Sequence, residues 1–160
     1  MIKPAEWADI EIVARNMRER DRAEICALTD TDDPVVAVSH LKVLPQFSAV
    51  VAKDEPIAVI GALYPWPGCA SAFMFATDRW PEVAKQTTRW AKKVLVPALL
   101  AQNCHRMQCY SLVDHVEAHR WLRYFGAKER FEPAYGKNHE DFLYFVLDRQ
   151  GMEKVTSTKN

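Results

Sequence analysis

Two histidines, His115 and His119, stand four residues apart in a stretch patterned as a helix, a spacing that puts both rings on one face. Such a pair can share a metal. The order His-Val-Glu-Ala-His, however, misplaces its glutamate for a metalloprotease helix, and no third ligand is evident. No metal site is expected, and two solvated or interface histidines are the simpler reading. Four cysteines, Cys26, Cys69, Cys104 and Cys109, lack the paired spacing of a zinc ribbon and are expected to be reduced core or strand residues. Acid–base chemistry has two weak candidates. Asp78 closes an extended run, though it fits the N-cap of the following helix better than a base. Tyr124 lies near the end of a helical segment.

The elements that must position these residues follow from periodicity and turn chemistry. A short extended start, 1–5, precedes a helix whose buried face is Ile10, Val13, Ala14 and Met17. The charged run Arg18–Arg22 breaks that stripe, and Asp21 with Glu24 has the form of a capping box opening a second helix. Thr29–Asp33 and Pro34 mark a turn and a further helix start, running to about Leu44. Extended runs 47–52 and 57–64 flank Asp54-Glu55-Pro56 as a hairpin. Pro65-Trp66-Pro67-Gly68 breaks the chain before a third strand, 70–77. Within that turn Trp66 is hard to bury and is a possible anchor for a partner. The longest helix spans about 82–102, with a kink or an early end expected near Val96 because Pro97 lacks an N–H. A strand, 106–112, follows. Asp114 with Glu117 opens another helix that closes at Gly126. Aromatic strands 131–135 and 142–147 finish the pattern, joined by Gly136-Lys137-Asn138. This order predicts a mixed α/β fold: a mostly antiparallel sheet of six to seven strands flanked by about four helices. Residues 1–148 are expected to form one domain and 149–160 a polar tail outside the core.

Composition narrows the function classes. The chain has 160 residues, 49% hydrophobic and 26% charged, with 21 basic and 21 acidic side chains. Zero net charge argues against a whole-chain nucleic-acid binder, leaving only a local patch. The cations Lys85, Arg89, Lys92 and Lys93 read as the solvated face of the long helix. No run approaches the roughly 18 apolar residues of a membrane span, so no membrane partner is expected. The start of the chain lacks the pattern of a signal peptide.

The element order, the segment Ser111–Ala127 ending in an aromatic-rich helix and Gly126, and the opening Ile2–Ala5 with Trp7-Ala8-Asp9 together resemble the GNAT superfamily of acetyl-CoA-dependent acyltransferases. More narrowly, Met17–Asp21 with Glu24-Ile25, the region of Ser39 and Ser48, and Arg120–Arg123 are similar to GNAT-like proteins of tailed phages, several of them internal virion proteins of podoviruses. The resemblance spans roughly residues 1–147. It implies a GNAT fold, acetyl-CoA as cofactor if the protein is active, and a bacterial host cytoplasm followed by the virion as location. It also implies other virion proteins, or further copies of this chain, as partners.

The resemblance further assigns cofactor contacts to Phe75, Ala76, Thr77, Arg79, Ala84 and His115. GNAT enzymes hold pyrophosphate on a loop reading Gln/Arg-x-x-Gly-x-Gly/Ala, whose glycines let backbone N–H groups approach the anion. Here Arg79 and Ala84 fit the ends of that pattern, but Glu82 takes the central glycine position; the alternative frame from Gln86 puts Arg89 there. Pro81 removes a donor, and Asp78 with Glu82 brings negative charge. The usual tyrosine acid, four residues before the glycine, is replaced by Leu122. Tyr124 is two positions on, roughly 200° around the helix. Two readings remain open: a protein with a degenerate cofactor site serving as a virion or interaction component, and an active N-acyltransferase for a small-molecule or protein amine.

Overall fold

The computed structural model describes residues 1–44 and 46–158. Seven strands form one sheet in the order β1-β2-β3-β4-β5-β7-β6, with β1 at Ile2–Pro4, β2 at Gln46–Ala52, β3 at Pro56–Trp66, β4 at Cys69–Ala76, β5 at Arg106–Leu112, β6 at Lys128–Glu132 and β7 at Phe142–Asp148. β2 pairs antiparallel with β1 and β3, and β7 pairs antiparallel with β5 and β6. β4 and β5 are parallel, Cys69–Ser71 lying against Arg106–Gln108. The helices are α1 (Trp7–Arg15), α2 (Glu19–Ala27), α3 (Pro34–Ala37), α4 (Ala84–Trp90), α5 (Val96–Ala101), α6 (Val116–Tyr124) and α7 (Arg149–Ser157). This is the mixed α/β architecture that the element order predicts.

The chain divides into two compact units, the first comprising Met1–Leu63 and Phe73–Thr88, the second Tyr64–Ala72 and Arg89–Asn160. In the first unit, Ile10, Val13 and Ala14 of α1 pack with Val38, Leu41, Val50, Val59 and Phe75. A second cluster joins Val51, Ile57 and Ala58 to Ala76, Trp80 and Val83. In the second unit, α7 packs on α5 and β7 and buries Met152 and Val155.

Several local expectations change. α2 begins at Glu19, so Asp21 is not its cap but a buried residue of its first turn. The helix after Pro34 is a single turn capped by Asp33, whose carboxylate accepts from the N–H groups of Val35 and Val36; a 3-10 turn at Ser39–Lys42 follows instead of a continuous helix to Leu44. Pro97 does not end the long helix. A π-helical turn at Ala91–Leu95 widens the helix just before Pro97, which then sits in the first turn of α5, where a missing N–H is tolerated. The strand expected at 131–135 lies at Lys128–Glu132, and Tyr135 falls in the following loop. Asp114 does not cap α6; His115 holds that position without a side-chain cap bond.

The polar stretch after Asp148 is α7, with the Asp148 carboxylate accepting from the Gly151 N–H at 2.8 Å. Residues 149–157 therefore join the packed structure, whereas composition alone placed them outside the core. Lys159 and Asn160 of that expected tail lie outside the described residues. No helix among the described residues is long and apolar enough to cross a membrane.

Candidate functional site

The site implied by the resemblance centres on the C-terminal end of β4. There the Ala76 N–H donates to the Asp21 carboxylate at 2.8 Å, and the Ala76 carbonyl accepts the Arg18 N–H at 2.9 Å. Met17 and Thr77 form an antiparallel bridge beside this contact. The Asp21 carboxylate also accepts from Arg18 Nε at 2.7 Å. The Arg18 guanidinium lies 5.7 Å from the centroid of the buried Trp80 ring. Arg18 is 8% exposed and Asp21 2%. An ion pair this deep is tolerated only when further hydrogen bonds support it, and here the Ala76 N–H supplies one to the Asp21 carboxylate while the Ala76 carbonyl fixes the Arg18 backbone N–H. The joint between α1 and α2 thus engages both polar groups of Ala76, the residue assigned by resemblance to cofactor contact.

Beyond Ala76 the chain turns on itself. The Thr77 N–H bonds to the Ile57 carbonyl at 2.9 Å. The Arg79 N–H donates to Thr77 Oγ1 at 3.3 Å. The N–H groups of Trp80, Glu82 and Val83 donate to the carbonyls of Thr77, Arg79 and Trp80, each at 3.0 Å. Pro81 has no N–H. A 3-10 turn, Trp80–Glu82, therefore replaces the helix start expected at Glu82, and α4 opens at Ala84. Asp78 is exposed and caps nothing, because Arg79 occupies the position before the turn. The amides that a glycine-containing loop would aim at an anion are, from Arg79 to Val83, engaged internally.

The Arg79 side chain is engaged as well. Its guanidinium donates to Glu82 at 2.8 and 3.0 Å, to Asp54 at 2.8 Å and to Glu55 at 2.9 Å. Lys53 adds a second cation 3.0 Å from Glu82. Hydrogen bonds from Arg79 first, then from Lys53, pull the Glu82 carboxyl from 4.5 down to about 2. Asp54 is lowered chiefly by its bond from Arg79. A carboxyl depressed in the folded state contributes stability above its unfolded pKa and loses it as pH falls toward the folded value. The contribution of Glu82 should accordingly fade from about pH 4.5 to about pH 2. Arg79→Ala is expected to flatten the fall in melting temperature across that window, measured by circular dichroism against wild type; an equally steep fall would show that the network does not couple to folding.

The remaining candidates are scattered. Phe75 is 1% exposed within the first core cluster, so its ring is packing material. Tyr124 is 56% exposed, its hydroxyl accepting from Lys92 Nζ at 2.8 Å while the ammonium lies 4.3 Å from the ring centroid. Leu122 is half-buried on the same helix. His115 and His119 are both buried, at 2% and 3% exposure, with the His119 ring 5.4 Å from that of Phe145. They are interior residues of the second unit rather than solvated ones. Among the described residues no three histidine, cysteine or acidic side chains converge as metal ligands. Burial raises the Cys69 thiol, and none of the four cysteines is in a disulfide. Trp66 is 56% exposed, as its two flanking prolines led one to expect.

Sequence reasoning did not assign the Arg18–Asp21 clamp a role. Opposite charges three apart at a helix start were its one signal.

No family model matches the chain, and no curated protein matches it. Solved structures do. A ribosomal-protein-alanine N-acetyltransferase from Brucella melitensis superposes with a TM-score of 0.70 at 13% identity, covering 92% of this chain and 99% of that one. A probable acetyltransferase of the GNAT family from Chromobacterium violaceum ATCC 12472 gives 0.69 at 11% identity, over 95% and 88%. The ribosomal-protein-S18-alanine N-acetyltransferase from Escherichia coli gives 0.66 at 13% identity, over 92% of each chain. At such identities likeness speaks to architecture alone, and on it this chain has the fold of the GNAT N-acetyltransferases.

Proposed function

We propose that this protein is a GNAT-fold interaction component, of the kind built into phage virions, and that it does not transfer acetyl groups. The observation that carries the reading is the engagement of the end of β4: the Ala76 N–H and carbonyl are taken by Asp21 and Arg18, and the amides of Arg79, Trp80, Glu82 and Val83 are taken within their own turn. A pyrophosphate arriving there would meet the carboxylates of Glu82 and Asp78, with every amide N–H from Arg79 to Val83 already engaged. Leu122, at the position of the usual acid, has no proton to give a departing thiolate. The virion assignment rests on the sequence resemblance to phage proteins, and the exposed Trp66 offers such an assembly an anchor.

The competing reading is an acetyl-CoA-dependent N-acyltransferase acting on an amine. It is favoured by the N-acetyltransferase names of the structures that share the fold. Calorimetric titration of the whole protein with acetyl-CoA separates the two. The proposal expects no saturable heat up to millimolar cofactor. Micromolar binding, or thiol release above background with a panel of amines, would favour the transferase and defeat it.

A further inference from the structure

The face of the second unit built from β5, β7 and β6 carries chemistry that neither reading uses. Side chains alternate along a strand, so Arg106, Gln108 and Tyr110 share one face of β5. Register places Tyr144 opposite Tyr110 and Arg130 opposite Tyr144. Lys128 stands opposite Val146, itself opposite Gln108. The Tyr110 ring stacks on Tyr135 at 4.3 Å with 8° between planes, and also lies 4.6 Å from Tyr144, tilted by 33°. Burial, then the hydrogen bond with Tyr135, pushes the Tyr110 hydroxyl up to about 12, so it stays neutral. The guanidinium groups of Arg106 and Arg130 lie 5.7 and 5.3 Å from the centroid of Tyr144.

Three features separate this face from an ordinary solvated one. First, Arg106 is half-buried, and its hydrogen bonds go to neutral groups, the Tyr144 hydroxyl at 2.6 Å and Gln108 Oε1 at 3.0 Å. Asp148, opposite it in register, is occupied capping α7. Second, the face carries three cations, Arg106, Lys128 and Arg130, of which Arg130 is held by Glu132 at 2.6 Å. Charges on the edge strand β6 are ordinary protection against strand pairing, but Arg106 is on an interior strand and needs another reason. Third, Tyr135 is 46% exposed yet held in place: Ala134 before it has φ 51°, its N–H tied to Asp141 at 2.8 Å, and the Gly136 N–H after it bonds to the Glu140 carbonyl at 3.0 Å. Left-handed backbone at a non-glycine residue is strained, and here it presents an aromatic ring to solvent.

A stack of rings flanked by guanidinium groups suits a ligand of planar bases joined by anionic linkers. We infer that this face binds single-stranded nucleic acid, with a base stacked on Tyr135 and phosphates at Arg130, Lys128 and Arg106. The neutral charge of the whole chain does not bear on a local face of this kind.

The test is fluorescence anisotropy of the full chain at low salt with a labelled thymidine oligomer of about fifteen nucleotides. Saturable binding is expected. Tyr135→Ala should weaken it about tenfold, whereas Tyr135→Phe, which keeps the ring, should bind much like wild type. Arg130→Ala should reduce the slope of log affinity against log salt by about 0.7. Unchanged melting temperatures in these exposed-site variants would confirm that folding is intact, and if Tyr135→Ala fails to fold, the Tyr135→Phe and Arg130→Ala arms decide. The inference is overturned by absent binding, by affinity indifferent to Tyr135→Ala, or by equal loss with Tyr135→Phe. It is also overturned if duplex DNA or polyglutamate competes as well as the single strand, since neither offers unstacked bases.

Discussion

Asp21→Ala is expected to destabilise the protein by about 3–5 kcal/mol, because it leaves the Arg18 guanidinium buried without its counter-ion. The same substitution removes the acceptor of the Ala76 N–H, 2.8 Å away in wild type, and an orphaned buried donor carries its own penalty. Asp21→Asn should fall between the two, since it restores an acceptor but no charge. Replacing Arg18 and Asp21 together by methionine and leucine should be milder than Asp21→Ala, as the desolvated charge then disappears with its partner. Urea unfolding reads all three differences. A loss below about 1 kcal/mol for Asp21→Ala, the worth of an exposed pair, would mean that the joint is not buried in solution.

The second large effect is at Phe75. The ring is 1% exposed among Ile10, Val13, Val50 and Val59, so Phe75→Ala should cost about 3–5 kcal/mol through lost burial and the cavity left behind. Phe75→Leu, which keeps most of the volume, should cost well under half as much. Because Phe75 adjoins Ala76, combining Phe75→Ala with Asp21→Ala should depart from additivity, and a double-mutant cycle measures by how much. A small loss at Phe75 would contradict its placement in the core and return it to the list of cofactor contacts.

Much of the architecture was legible in the sequence because local signals agreed with the fold. The apolar stripe Ile10, Val13 and Ala14 is the buried face of α1. Asp54 and Glu55 lie in the turn that joins β2 to β3, with Pro56 opening β3. Gly126, at φ 84°, ends α6, with the Ala127 N–H bonded back to the Leu122 carbonyl at 3.2 Å. What escaped was decided by tertiary contact. Asp21 sits in a run of charges that reads as solvated, and its burial depends on a strand 55 residues away whose Ala76 N–H its carboxylate accepts. α7 has two buried apolar residues, Met152 and Val155, in a polar stretch, too thin a stripe to announce a packed helix. The π-helical turn before Pro97 is an accommodation that periodicity does not encode.

The candidate site was legible in its departures more than in its positions. The absence of glycine at Glu82 was visible from residue types, and the structure adds that Glu82 is bound by Arg79 and Lys53. Tyr124 was expected to point away from the position of Leu122, and it stands exposed beside Lys92. That Ala76 is engaged by the joint between α1 and α2 could not be read from spacing at all, because it requires the turn after α1 to meet the end of β4.

The closed end of β4 is best tested by NMR at the Ala76 amide, observed while acetyl-CoA is added to millimolar concentration. The Ala76 amide should exchange with solvent only slowly, as a buried donor to Asp21, and its shift should not move with cofactor. A fast-exchanging Ala76 N–H, or a saturable shift at micromolar acetyl-CoA, would contradict a closed end.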